Sequence, residues 1–288
     1  MKKLLVVLLA ALCVMAVLPV SALTKNGSLG TVPLYKGTIT VDGKKDAIYD
    51  KGLKVAVDQN FSDAYKTNTK GTVYMLHDGT YLYMLIHVDS ANPLGEYNPE
   101  YKTSLWKTTA VEVQMDWSND ATAKANNAKE LFKLDANYIG DNYYGEFLAA
   151  DAAALKAWIV DLKCTNDKNA KTYDMEIKMK FQEGAKAGSE VGMQIMIDSD
   201  PNMGAKNTST QCQIACIVPN CSNDGSGFKN FKLGDAATEV TTAAATTKAA
   251  ATAAKTTATS AKTADTSVVV ALVATIALAG VVVCKKKH

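Results

Sequence analysis

Arginine is absent, and all 31 basic residues are lysine. Without the planar fork that reads guanine edges and grips phosphates bidentately, nucleic acid is a poor candidate partner. Histidine is almost missing too. His77 and His87 bracket one short stretch, and neither belongs to a recognisable triad or metal motif. Carboxylates are plentiful, yet no spacing singles out an acid and a base, and no nucleophile motif occurs, so the chain does not read as an enzyme. Helical periodicity is confined to a turn or two at 151–156. What remains is ordinary for a globular protein: 48% hydrophobic, 21% charged and 7% aromatic residues. Wholesale disorder, collagen and a polytopic membrane protein are excluded.

The two ends stand apart. Met1-Lys2-Lys3, an apolar run and then Val20-Ser21-Ala22 have the order of a secretory signal peptide, predicting cleavage after Ala22 (residues 1–22). Cys13 is leader and not a lipoprotein cysteine, because Leu12 precedes it where a small residue is needed. Near the other end, 267–284 contains 17 unbroken apolar residues from Val268, about 26 Å as a helix, followed by Lys285-Lys286-Lys287-His288. The lysines predict that 285–288 stay cytoplasmic and the rest lies outside the cell. The arrangement also resembles the cell-wall sorting signals of Gram-positive bacteria, though no LPxTG-type pentapeptide precedes it. A transmembrane helix and covalent wall attachment both remain open. Residues 236–266, almost all Ala, Thr and Lys, cannot form a core and read as a stalk or a partly helical linker. The domain is then 23–235, where 23 Lys stand against 27 Asp plus Glu. That mild acidity does not suggest a polyanion partner.

Within the domain, short β-branched and aromatic runs alternate in polarity between Gly, Asn, Asp and Pro. The clearest are 71–76 and 81–88, joined through Asp78-Gly79 as a hairpin. Further strands are predicted at 110–116, 131–136, 158–164, 173–181, 191–198 and 211–218, with a closing strand at 228–233. Strands without intervening helices predict an all-β fold, an antiparallel β-sandwich of jelly-roll or immunoglobulin-like type.

Five segments, ITVDGKKDAIYDKG (39–52), TVYMLHDGTYLYMLIHVDS, WKTTAVEVQMD (106–116), YDMEIKMKF and GSEVGMQIMIDSD, resemble carbohydrate-binding module family 9 in order and spacing. The resemblance runs from about Thr38 to Leu233. It implies a β-sandwich with bound calcium and a slot that grips the end of a sugar chain between two tryptophans. By position it implies ligand contacts at Asp89, Trp106 and Glu112. The chemistry agrees: a pyranose lays one apolar face on an aromatic ring and offers hydroxyls to carboxylates. Core packing for Trp106, a solvated strand face for Glu112 and a turn cap at Asp89 are the competing readings. The second tryptophan is missing, because the stretch CIVPNCSNDGSG before the closing strand holds no aromatic. Tyr97 or Tyr101 as its replacement, an open weak site, and loss of sugar binding are the three alternatives. An intact site would hold a disaccharide with a Kd on the order of 10 μM.

Two loops carry the oxygen ligands that calcium prefers: Asp116, Asn119 and Asp120 in one, Asp198, Asp200 and Asn202 in the other. Turn formation explains the same residues, and neither loop has EF-hand spacing. Four cysteines remain in the exported domain. Cys212 and Cys216 are too far apart along a strand to pair with each other; of the two connectivities left, Cys216 with Cys221 across the Pro219 turn and Cys164 with Cys212 is the preferred one. The functional expectation is a surface-displayed, non-catalytic module that binds poly- or oligosaccharide. The alternatives are a structural or adhesive surface protein that has lost the slot and, more remotely, a haem-binding sandwich using Met84, His77 and His87.

Overall fold

The computed structural model describes residues 27–95, 99–102, 104–119, 132–140, 143–147, 157–182, 184–202 and 212–242. The leader, the apolar segment 267–284, the basic tail, Tyr97, Asp120 and the helical turn at 151–156 lie outside them. No helix among the described residues is long and apolar enough to cross a membrane.

Two sheets form the domain. The first has eight strands: β1 (Ser28–Val32), β13 (Lys229–Leu233), β11 (Glu190–Ser199), β6 (Ala110–Asp116), β7 (Phe132–Asn137) and β8 (Tyr143–Phe147) in that order, with β12 (Gln213–Cys216) on β11 and β3 (Gln59–Asn60) on β12. The second runs β2 (Leu53–Val57), β4 (Lys70–His77), β5 (Tyr81–Asp89), β10 (Thr172–Lys180), β9 (Ile159–Asp167). All pairings are antiparallel except β1 with β13. The β4–β5 hairpin turns where expected: the Asp78 carboxylate accepts from the amides of Thr80 and Tyr81, both at 2.8 Å, and Gly79 takes φ +94°.

Alternation places the core. Val111, Val113 and Met115 of β6, Leu134 of β7 and Met193, Ile195 and Ile197 of β11 face Val73, Met75, Met84, Ile86, Met175 and Ile177 of the second sheet, all without solvent exposure. Six methionines in that group, counting Met179, fill irregular gaps between the sheets with unbranched side chains. On the far face of the second sheet, Tyr35, Ile39, Ile48 and Tyr49 pack over Leu76, Tyr83 and Leu85. Glu176 fixes that layer, accepting from the amides of Asp42 (2.9 Å) and Gly43 (3.1 Å) and the hydroxyl of Tyr49 (2.9 Å).

The chain stays on the domain past Asp235. Ala236–Thr238 makes a 3-10 turn, the Val240 amide donates to the Leu34 carbonyl at 2.8 Å, and Lys36 pairs with Glu239 at 3.1 Å. The first residues expected of the stalk, Ala236 to Val240, are therefore part of the folded unit.

The expected disulfides do not form. None of Cys164, Cys212, Cys216 and Cys221 is joined in a disulfide. Each sulfur is turned toward a different carbonyl: Cys212 to Thr108 (3.3 Å), Cys216 to Gln59 (3.4 Å), Cys221 to Asp224 (3.6 Å) and Cys164 to Asn137 (4.0 Å). Cys216 lies in an apolar cluster with Met196 and Ile214, and Cys221 in another with Phe228, with no bond between them.

Candidate functional site

Period-two alternation that sends valines into the core sends Glu112 and Gln114 of β6, Lys133 and Asp135 of β7, and Gln194, Met196 and Asp198 of β11 to the outer face of the first sheet. That face is polar but not wet. Glu112 and Lys133 are each 3% exposed, and Asp135, Asp198, Gln114 and Gln194 not at all. Loops cover it, and two glutamines hold one loop down. Gln194 donates to the carbonyls of Val218 and Cys221, both at 2.7 Å, and accepts from the Val218 amide at 3.0 Å. Gln114 accepts from the Asn223 amide at 2.8 Å and donates weakly to Ser222 Oγ and Glu112 Oε2, both at 3.4 Å.

Where this loop meets the sheet there is a cavity of about 310 Å³, lined by Phe61, Trp106, Glu112, Lys133, Met196, Ile214, Ser222 and Asn223. Trp106 comes from the 3-10 turn Leu105–Lys107, anchored by buried Leu105 and by Thr108 Oγ1 donating to the Leu105 carbonyl at 2.8 Å. Its ring is half-buried, with Lys107 Nζ 4.8 Å from the ring centroid. Phe61 follows β3; its amide donates to the Ile214 carbonyl (3.1 Å) and its carbonyl accepts from the Asn220 amide (2.8 Å). Lys133 Nζ lies 2.8 Å from Glu112 Oε2 and 3.6 Å from Asp135 Oδ1. Two aromatic rings, an apolar floor of Met196 and Ile214, a carboxylate, an ammonium and two small polar side chains thus share one cavity. That set can stack an apolar ring face and both accept from and donate to hydroxyls.

Trp106 and Glu112 are brought together as expected by position. Asp89 is not with them. It is exposed at the end of β5, on the outer face of the opposite sheet, with its carboxylate 3.6 Å from His87 Nε2. The reason is alternation: Val88 points into the core, so its neighbour points away from it and from the first sheet. Tyr101 sits in the 3-10 turn Pro99–Tyr101 and does not line the cavity. Phe61, Lys133, Ser222 and Asn223 were not anticipated. A haem reading finds no centre: Met84 is in the core, His87 lies on the opposite face of β5 beside Asp174 (2.7 Å), and His77 is buried against Phe181.

The two expected calcium loops behave differently. Asp200 Oδ1 accepts from the Asn202 amide at 2.8 Å, while Asp198 faces Glu112. The first loop brings oxygens together where β6, β11 and β13 meet. Gly192 of β11 is the register partner of both Asp116 and Asn230, and a Cβ there would lie 3.2 Å from Asp116 Cβ and 3.7 Å from Asn119 Oδ1. Neither amide atom of Asn119 or of Asn230 has a hydrogen-bond partner, and Asn230 is 3% exposed. Buried amides without partners are costly, and an oxygen-seeking cation fits this set of oxygens.

The sequence profile of the family described as "Carbohydrate family 9 binding domain-like" matches residues 41–215. The chain belongs to this family. Two solved structures have the same fold as the family 9 domain described here. One is a carbohydrate binding module family 9 from Caldicellulosiruptor kristjanssonii in complex with glucose, with TM-score 0.56 and 16% identity, covering 71% of this chain and 96% of that one. The other is a family 9 module from the same organism in complex with cellotriose, with TM-score 0.54 and 16% identity, covering 71% and 93%. Among curated proteins, none matches this chain.

Proposed function

We propose that this family 9 protein is a non-catalytic carbohydrate-binding protein, and that its cavity takes a unit of an oligo- or polysaccharide. One observation carries the reading: Trp106, Phe61 and the Glu112–Lys133 pair line a single cavity in a member of a carbohydrate-binding family. The sugar's apolar face stacks on Trp106. Phe61, in place of the absent second tryptophan, supplies the other aromatic wall. Glu112 accepts hydrogen bonds from sugar hydroxyls, and Lys133, Ser222 and Asn223 donate them. At about 310 Å³ the cavity is at the small end of ligand sites, which suits one pyranose at a chain end. Glucose and cello-oligosaccharides, the ligands of the two similar structures, are the first candidates.

The exported setting supports the same reading. A leader at 1–22, a stalk beyond Ala244 and an anchor at 267–284 display the domain outside a Gram-positive cell, held to the membrane or the wall by its C-terminus. A calcium ion held by Asp116, Asn119 and Asn230 would brace the β6–β11–β13 region and contribute charge neutralisation there, with no contact to sugar.

A glycan-array screen of the full chain beside a Trp106→Ala variant tests the function. Selective binding that the variant loses is expected. Folded protein that binds no glycan would overturn the reading in favour of an adhesive scaffold.

A further inference from the structure

We propose that the cavity selects a sugar unit carrying a methyl-terminated substituent, an acetamido group or the C6 methyl of a 6-deoxyhexose, over plain glucose. The inference names the ligand class of the Trp106 cavity and rests on the sugar-binding reading.

Strand register divides the cavity into two unlike halves. In one row across the outer face, Glu112 of β6 is followed by Met196 of β11 and then Cys216 of β12, and Ile214 lies two residues from Cys216 on the same face. Charge stays at one end of that row. Lys133 of β7 reaches Glu112 at 2.8 Å, and the 3-10 turn that carries Trp106 packs on β6 and β7. The other end is apolar. Met196, Ile214 and Cys216 form one cluster with Phe61 and Tyr65, and the Tyr65 ring stands 6.0 Å from that of Phe61 at 45°, backing the cavity wall.

The backbone at the apolar end is engaged as well. The Phe61 amide donates to the Ile214 carbonyl at 3.1 Å, and the Phe61 carbonyl accepts from the Asn220 amide at 2.8 Å. Among the described residues, the side chains that line this half, Phe61, Met196 and Ile214, offer a ligand no hydroxyl, amide or charge.

A pyranose stacked on Trp106, with one edge of its hydroxyl rim toward Glu112 and Lys133, turns the opposite edge toward Phe61, Met196 and Ile214. In glucose that edge also carries hydroxyl, which loses water there and gains no partner. A methyl in the same place gives up no hydrogen bond and buries apolar surface. Discrimination of this kind, one small group against an apolar wall, amounts to about tenfold.

Calorimetric titration of the full chain with glucose, 6-deoxyglucose and N-acetylglucosamine tests the inference. At least one of the two methyl-bearing sugars binds about tenfold more tightly than glucose, and which one does so tells a 6-deoxy ligand from an acetamido ligand. Met196→Gln, which keeps the length of the side chain, and Ile214→Thr, which keeps its branching, each cut that ratio to about twofold or less. Glucose bound as tightly as both other sugars would overturn the inference and leave the sugar reading standing. A tenfold ratio retained in both variants, in proteins that melt as the wild type does, would also overturn it. Folded wild type that binds none of the three would overturn the sugar reading and this selectivity with it.

Discussion

Gln114 of β6 and Gln194 of β11 are register partners, and both side chains reach over the sheet to hold the same loop, 218–223. The loop has no regular structure of its own, and Asn220 and Asn223 take positive φ of 52° and 58° within it. Its placement is what brings Ser222 and Asn223 to the cavity. Gln194→Ala leaves two carbonyls and an amide without partners, so a loss of about 1–3 kcal/mol in a urea melt is expected, together with weaker sugar binding. Unchanged affinity in that variant would mean the loop takes no part in the site.

Calcium should raise the melting temperature of the wild type. At a hundredfold excess over its Kd, a bound ion stabilises by about 2.7 kcal/mol, or several degrees in a domain of this size. Asn230→Ala and Asp116→Asn should lose that response, and Gly192→Ala should weaken it by crowding Asp116, whose Cβ would lie 3.2 Å from the added methyl. Differential scanning calorimetry with calcium and with chelator makes the comparison. A response equal in all four proteins would place the ion elsewhere.

The two histidines of the domain should act on stability with opposite sign. The hydrogen bond that the His87 ring donates to the Asp174 carboxylate raises the His87 pKa above its ordinary 6.5, so its contribution is complete below pH 6.5 and is lost as pH rises through the folded value. Burial lowers the pKa of His77, so its contribution is present above pH 6.5 and is lost as pH falls through the folded value. In melts across pH 5–8, His87→Gln should flatten the decline on the alkaline side and His77→Gln the decline on the acid side. Both effects on the same side would contradict the assignment.

The four cysteines of the domain should be found unbridged. Burial pushes Cys216 up to about 12 and Cys221 up to about 11, so neither supplies a thiolate at neutral pH. A thiol reagent should leave these two unmodified in the native protein and, in denaturant without prior reduction, label all four cysteines of the domain. A 216–221 crosslink in the peptide map would contradict the structure.

Much of the fold is legible in local pattern. The 110–116 strand coincides with β6, and the Asp78-Gly79 hairpin forms as its turn chemistry dictates. Strands β2 and β3 escape notice because they are short and half-polar, and β1 because it joins β13 in parallel after more than 190 intervening residues. The site divides the same way. Trp106 and Glu112 are neighbours in sequence and share a turn and a strand. Phe61, Lys133 and Asn223 come from three distant segments, and only strand register and the two glutamines make them adjacent. Glu112 reads as a solvated strand position because alternation reports direction and not the loops that cover the face. The disulfide expectation fails for a related reason: an even cysteine count says nothing about which way each sulfur points.

The central claim is that the Trp106 cavity binds sugar. Calorimetric titration of the full chain with glucose and cellotriose, beside Trp106→Ala and Phe61→Ala, tests it most directly. The account predicts binding in the micromolar to millimolar range, weakened about tenfold by either Trp106→Ala or Phe61→Ala, since each lost stacking face is worth roughly 1.4 kcal/mol. Binding that survives both substitutions, in proteins that melt as the wild type does, would contradict it.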